Sequence, residues 1–393
     1  MKPETPLSRW VLALYCLATG FSVAAVVYHQ SMTQLIAASF RLPADALWGL
    51  SVATQFGYGA GLILGLPLGD TQSPRRLIPG SLLALGLVLL LIAVAPSLPA
   101  VIALCTLAGL LSIGGQLLIA YCAKTCAPSE RPAVIGCLLS SLFAGLLLAR
   151  VLAGWGGEHI GWRGVYLTVG ALTALLGLAI HRHIRALPPS AQIGYGQMLG
   201  QQGRLWLAQP ELRRFALIAA CFFAASNGIW ANLGSLTHST LHWNAGQTGL
   251  LAFTSLVALR SPMLANWLQQ RMRWQVAVVL LGVAVAAVSL AGIAVGSWLP
   301  MIVAFLIVSD VGVRSVQALT QSRVLAIDPP AASRLNSLYM TVFFFGAALG
   351  SWLGGIAVHH LGWTGMYLFP LICALAGLGL LGLPGESRRL ARA

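Results

Sequence analysis

Acidic side chains are the scarcest feature of this chain. Asp and Glu number nine in 393 residues, and the four charged types together make up 8%, against about 25% in soluble globular proteins. That scarcity excludes a water-soluble monomer, and with it a soluble enzyme. The short alternating strands of an outer-membrane barrel are missing too. There is no nucleotide-binding glycine loop, HExxH or GxSxG motif, so neither ATP-driven pumping nor hydrolysis has support, and no catalytic residue, cofactor or metal is expected. Seven cysteines (Cys16, Cys105, Cys122, Cys126, Cys137, Cys221 and Cys373) lie within or at the edges of apolar stretches. They read as small core hydrophobes without a disulfide framework. Cys122 and Cys126 lack the further ligands a metal would need.

What the chain does have is apolar length. Hydrophobic residues make up 58%, the mean hydropathy is +0.83, and stretches of about 20 residues recur, enough to cross a bilayer as helix. Apolar windows between polar, Gly or Pro breaks predict spans at 9–29, 47–69, 77–95, 100–122, 134–156, 164–181, 212–236, 247–268, 276–295, 300–322, 335–357 and 365–384. Six spans precede and six follow a polar interval at 182–211, which reads as a linker between halves 1–181 and 212–393. The expectation is an all-α integral membrane protein, with twelve transmembrane helices in two pseudo-symmetric six-helix bundles.

The net charge of +14 would suit nucleic acid, but its placement points to the lipid bilayer instead. With the N-terminus inside, 18 of the 23 Lys and Arg fall in cytoplasmic segments, two (Arg41 and Arg163) outside, and Arg150, Arg260 and Arg314 inside spans. The positive-inside rule then places both termini in the cytoplasm. The first span is expected to stay as a helix, not to be removed as a signal peptide.

The halves echo one another. His159-Ile160-Gly161-Trp162-Arg163-Gly164-Val165-Tyr166-Leu167 returns as His360-Leu361-Gly362-Trp363-Thr364-Gly365-Met366-Tyr367-Leu368, 201 residues later. Gly145, Ala149 and Ala153 map by the same offset onto Gly346, Gly350 and Gly354, small-residue ridges that let helix backbones approach in lipid. Duplicated halves imply a pseudo-two-fold axis along the membrane normal and a pathway between the halves.

Four segments carry a resemblance. Pro67-Leu68-Gly69-Asp70-Thr71-Gln72-Ser73-Pro74-Arg75-Arg76 resembles the loop signature of the major facilitator superfamily, with Thr71 where arginine is usual. Gly136, Gly145, Ala149, Arg150, Ala153 and Gly154 resemble its antiporter signature in span 5, Arg150 replacing the proline. Tyr28 and Gln30 with Thr54-Gln55-Phe56-Gly57-Tyr58, and Asp310 to Gln321 with Arg334-Leu335-Asn336, are similar to a subgroup that includes proposed nucleoside and sugar exporters. The resemblance is to the twelve-helix bacterial drug and metabolite efflux branch. It implies a monomer in the bacterial inner membrane that moves a small molecule against protons, with Asp70, Arg75 and Arg76 anchoring the inward gate.

The polar residues inside the spans name the candidate site. Asp310 is the only acid near mid-span, and an ionisable group there needs a partner or a task. Asp310, Arg314, Gln317 and Gln321 share one helix face. Two readings stand: a permanent Asp310–Arg314 pair that helps span 10 pack, or a carboxylate protonated and released during transport. Arg150 and Arg260 sit at depths from which they can snorkel or line the cavity. Three Arg against one Asp inside the spans suit an anionic, zwitterionic or neutral polar substrate better than a lipophilic cation. Tyr28, Gln30, Gln55, Gln116, Asn227, Trp230, Asn232 and Gln317 complete a candidate cavity, interhelical glue being the alternative for each. Trp10, Trp48, Trp267, Trp274, Trp298 and Trp363 read as interface belts. Gly57, Gly61, Gly65 and Gly69 form a ridge suited to a helix that slides as the halves rock. Export by alternating access leads; proton-coupled uptake, facilitated diffusion and a non-transporting sensor are the alternatives.

Overall fold

A computed structural model describes residues 8–42, 47–187, 194–328 and 331–382. The first crossing is not one helix but three: α1 (Arg9–Ala24), α2 (Tyr28–Ser31) and α3 (Thr33–Phe40). Between α1 and α2 the chain tightens to Val26 N–H→Val23 and Val27 N–H→Ala24 bonds, and Tyr28, His29 and Gln30 enter the protein interior, each no more than 4% exposed. The first half continues with α4 (Trp48–Gly65), α5 (Leu68–Thr71), α6 (Pro74–Val94), α7 (Leu98–Leu111), α8 (Gly114–Thr125) and α9 (Arg131–His181). The linker carries α10 (Tyr195–Ala208), tied down by Tyr195 Oη→Leu64 O and by Arg334→Gln201 Oε1. Then come α11 (Pro210–Leu241), α12 (Ala245–Leu250), a 3-10 segment (Leu251–Arg260), α13 (Ser261–Arg271), α14 (Trp274–Val295), α15 (Leu299–Ile327), α16 (Ala332–Leu361) and α17 (Trp363–Gly382). Pro74, Pro99, Pro132, Pro210, Pro262 and Pro300 each occupy one of the first two positions of a helix, where the missing N–H is not needed.

Among the described residues ten helices are long and apolar enough to cross a membrane. One of them, α9, makes two crossings: Gly161 (φ 72, ψ 160) turns the chain within it. With the broken first crossing this gives the twelve expected spans. The repeat extends to the turns. Gly362 ends α16 with φ 54, at the position Gly161 holds in the first half. Trp162 donates to Ser39 Oγ at 2.7 Å and Trp363 to Thr240 Oγ1 at 2.9 Å. Arg41 and His242, the same offset apart, are the two non-glycine residues with positive φ among those described, at 55° and 56°.

Each half packs around its own apolar core. The glycine ridge of span 2 serves this packing: Gly57 and Gly61 press against the Thr106 and Leu110 carbonyls of α7, so it faces a neighbour in its own half. Trp274 departs from the interface-belt expectation, turned inward against Phe215 and 9% exposed.

Two seams join the halves. Along α4 and α16, Phe56 stacks on Phe345 (5.3 Å), Tyr58 meets Phe344 edge-on (4.4 Å), and Ser337 Oγ donates to the Leu62 carbonyl at 3.0 Å. Along the second seam, α9 meets α12 and the 3-10 segment, but no contact of comparable extent joins it to α13. There Gly154 lies against the Ala245 carbonyl, Gly249 against that of Arg150, and Glu158 Oε1 accepts the Ala245 N–H at 2.8 Å. The second seam is therefore closed on the side of Glu158 and parts toward the side of Asp70.

Candidate functional site

Where the seam begins to part, polar side chains from both halves join. The break after α1 delivers Gln30, whose Oε1 accepts from Arg150 Nε at 2.9 Å. The Arg150 guanidinium lies 4.3 Å from the Trp230 ring centroid, a cation–π contact across the halves. Trp230 Nε1 donates to Asp310 Oδ1 at 3.1 Å and Ser226 Oγ to the same oxygen at 2.9 Å; Ser255 Oγ donates to Oδ2. Asp310 thus ties α15 to α11 and to the 3-10 segment, and the chain from Gln30 to Ser255 crosses the interface.

A second link runs beside it. Gln55 Nε2 donates to Asn227 Oδ1 at 3.1 Å, while Asn227 Nδ2 reaches Ser351 Oγ (2.7 Å) and the Ala347 carbonyl (3.1 Å). Behind Gln30, His29 Nε2 shares a hydrogen with Ser51 Oγ at 2.7 Å, and the Tyr28 ring meets Tyr166 edge-on at 6.4 Å. Three buried atoms at this centre have no hydrogen-bond partner among the described residues: His29 Nδ1, Gln30 Nε2 and Gln55 Oε1.

The polar stripe of span 10 is present, but its members reach different helices. Arg314 stacks over Phe143 of α9 at 5.0 Å, and Gln317 and Gln321 approach Met340 of α16, Gln321 also donating to Asn336 at 2.7 Å. This corrects the intrahelical pairing considered from sequence: no ion pair or hydrogen bond joins Asp310 to Arg314, because three neutral donors on neighbouring elements already surround the carboxylate. Gln116 sits apart from the central chain, 3.5 Å from Tyr58 Oη. Asn232 is satisfied within α11, donating to the Gly228 carbonyl at 2.8 Å. Arg150 is buried and Arg260 exposed. On the other face Asp70 pairs with Lys124 at 2.7 Å, within its own half, and Arg75 and Arg76 are exposed.

Sequence reasoning missed Ser226, Ser255, Ser351 and the pair His29–Ser51. Ser255 had a signal, standing 201 residues after Thr54 in the repeat. Ser226 lies one turn before Trp230, on the same face of α11.

The sequence model of the Major Facilitator Superfamily matches residues 10–319 and 215–392. The chain is 31% identical over 380 residues to the uncharacterized transporter YgaY of Escherichia coli, covering 96% of each. It is 30% identical over 403 residues to SCO4007 of Streptomyces coelicolor, which is named a probable transporter, covering 99% of this chain and 90% of the other. Its fold is similar to that of a bacterial homologue of the human lysosomal transporter Spinster, solved inward-facing and unoccupied. There the TM-score is 0.73 at 15% identity, over 97% of this chain and 95% of that one. With two helical halves that meet at a shared polar centre, this chain belongs to the Major Facilitator Superfamily and is a multi-pass membrane transporter.

Proposed function

We propose that the protein exports a small polar or drug-like molecule in exchange for protons, by alternating access, as a monomer in the bacterial inner membrane with both termini cytoplasmic. The observation that carries this reading is the second seam: closed at Gly154, Glu158 and Ala245, it parts toward the opposite face around the chain from Gln30 to Asp310. The positive-inside rule makes that open face cytoplasmic, so a substrate enters from the cytoplasm and leaves when the seam parts at Glu158. Asp310 is the coupling carboxylate. Its partner Ser255 can donate to a carboxylate or accept from a carboxylic acid, so Asp310 takes up a proton without losing its contact to span 8. The loop of Asp70, Arg75 and Arg76 closes the cytoplasmic face when the halves rock, Asp70 changing its partner from Lys124 to a group of the second half.

An untargeted metabolite comparison of cells with and without the protein supplies the substrate, and counterflow in proteoliposomes tests the reading. Exchange of labelled substrate, with accumulation only under an imposed pH gradient, is expected. Binding without exchange identifies a sensor and overturns it.

A further inference from the structure

We infer that the centre is built to bind a small organic anion, a carboxylate or a phosphate ester, through Arg150 first and Arg314 second. This rests on the transport reading only in taking the central cleft as the substrate site. Arg150 is 9% exposed, yet its one hydrogen bond among the described residues is from Nε to Gln30. Its two terminal nitrogens, the pair that grips an oxyanion side by side, have no acceptor among the described residues. Arg314, contributed by the opposite half and half-buried, has no hydrogen bond or ion pair among the described residues, and its guanidinium lies over the Phe143 ring. Asp310 acts electrostatically on both guanidiniums without contacting either, and Arg314 acts on Arg150.

A buried guanidinium without a carboxylate against it is expensive to hold. Asp310 does not fill that role, since both its oxygens are engaged by Ser226, Trp230 and Ser255. Two arginines and one aspartate leave this centre with a formal charge of +1, which a bound monoanion cancels. Gln30 adds the second requirement of an anion site. Its Oε1 fixes Arg150, and its Nε2, on the same amide of a residue only 2% exposed, is a donor without an acceptor among the described residues. A cationic substrate would find at this centre, among the described residues, only the Asp310 carboxylate, already held by three donors.

The test uses the full chain in phosphatidylcholine nanodiscs, followed by thermal unfolding at constant ionic strength. The probes are benzoate, phenyl phosphate and glucuronate, set against neutral benzamide and glucose and cationic benzylamine. At least one anion is expected to raise the unfolding midpoint by about 2 °C or more, and its neutral counterpart not to. Arg150→Gln should weaken that anion's binding about 10-fold or more and Arg314→Gln about threefold, with Arg150→Lys recovering part of the loss. Gln30→Leu, which leaves both charges in place, covers the case in which Arg150→Gln does not fold, and is also expected to weaken binding. A panel in which no anion stabilises, in which benzamide or benzylamine stabilises as well as benzoate, or in which the arginine variants bind the anion unchanged, overturns the inference. Counterflow separates the two readings: anion binding without exchange leaves this site standing and removes transport, whereas exchange of a neutral substrate with no anion binding does the reverse.

Discussion

The two halves repeat each other's turns and depart from each other at the centre. Gly161 and Gly362 leave their helices at the same position, Trp162 and Trp363 hold the same hydroxyl position, and Arg41 and His242 share a left-handed conformation. Even a divergence at the rim keeps its acceptor. The Ala95 carbonyl takes Arg163 at 2.9 Å, and the Gly296 carbonyl, its repeat, takes Tyr367 at 3.0 Å. At the centre the offset pairs His29 with Trp230, Gly109 with Asp310, Ile113 with Arg314 and Arg150 with Ser351, while Gln116 and Gln317 coincide. A turn is a backbone solution that both copies need. A site asks for a cation in one place and a carboxylate in another, so the copies differ in chemistry where they face each other.

The pair Gly109 and Asp310 sharpens this contrast most. A methyl group added at Gly109 would stand 2.2 Å from the Thr54 carbonyl, so Gly109→Ala should cost about 1–3 kcal/mol of stability, read as a lowered unfolding temperature and poorer yield. Asp310→Asn should leave unfolding nearly unchanged and abolish gradient-driven accumulation while sparing substrate exchange. Driven transport retained in a folded Asp310→Asn protein removes Asp310 from coupling.

Gly154 and Gly355 are also repeats of each other, and each stands at a seam between the halves. A side chain at Gly154 would meet the Ala245 carbonyl at 2.4 Å, backbone that cannot give way; at Gly355 it would meet the Trp48 side chain at 2.7 Å, which can shift. Gly154→Leu should therefore prop open the Glu158 side, raising labelling of Thr33→Cys by an impermeant maleimide from that side several-fold in a cysteine-free background. Gly355→Leu should do so less. Equal labelling in the two variants breaks the distinction between the seams.

Asp70 corresponds in the repeat to Arg271, so the gate signature exists in one half only. Its ion pair with Lys124 is half exposed at 37% and 43%, a setting in which such pairs contribute about 0–1 kcal/mol. Asp70→Asn should leave stability and substrate binding within that margin and slow turnover; unchanged turnover would exclude the loop from gating. The smallest effect belongs to the repeated turns. Trp162→Phe and Trp363→Phe each remove one hydrogen bond, about 1 kcal/mol, and unfolding should report similar losses if the turns are equivalent in energy as well as in geometry.

Much of the fold was legible because partition into lipid acts stretch by stretch: the predicted apolar windows lie on α4 to α9 and α11 to α17, and their failure is instructive. Span 1 carries no proline to announce its break, and Val26 and Val27 are as apolar as their neighbours, so hydropathy runs straight through a point where the backbone turns. Of the candidate site, Gln30, Gln55, Arg150, Asn227, Trp230 and Asp310 lie together where the halves meet, as expected of polar groups that in lipid must face protein. Their pairings were not readable, since helical spacing offers Asp310 only the neighbour on its own helix.

The sequence by itself therefore determined the number of crossings, the duplication and the identity of the few polar residues kept inside, because each follows from the cost of placing a given stretch or group in hydrocarbon. Only the tertiary structure decided that Asp310 turns to Ser226, Trp230 and Ser255, that Arg150 rests on an indole from the other half, and that Arg314 stands free of a carboxylate. Hydrogen bonds and ring contacts act over a few ångströms, and which groups come that close is set by how the two bundles meet.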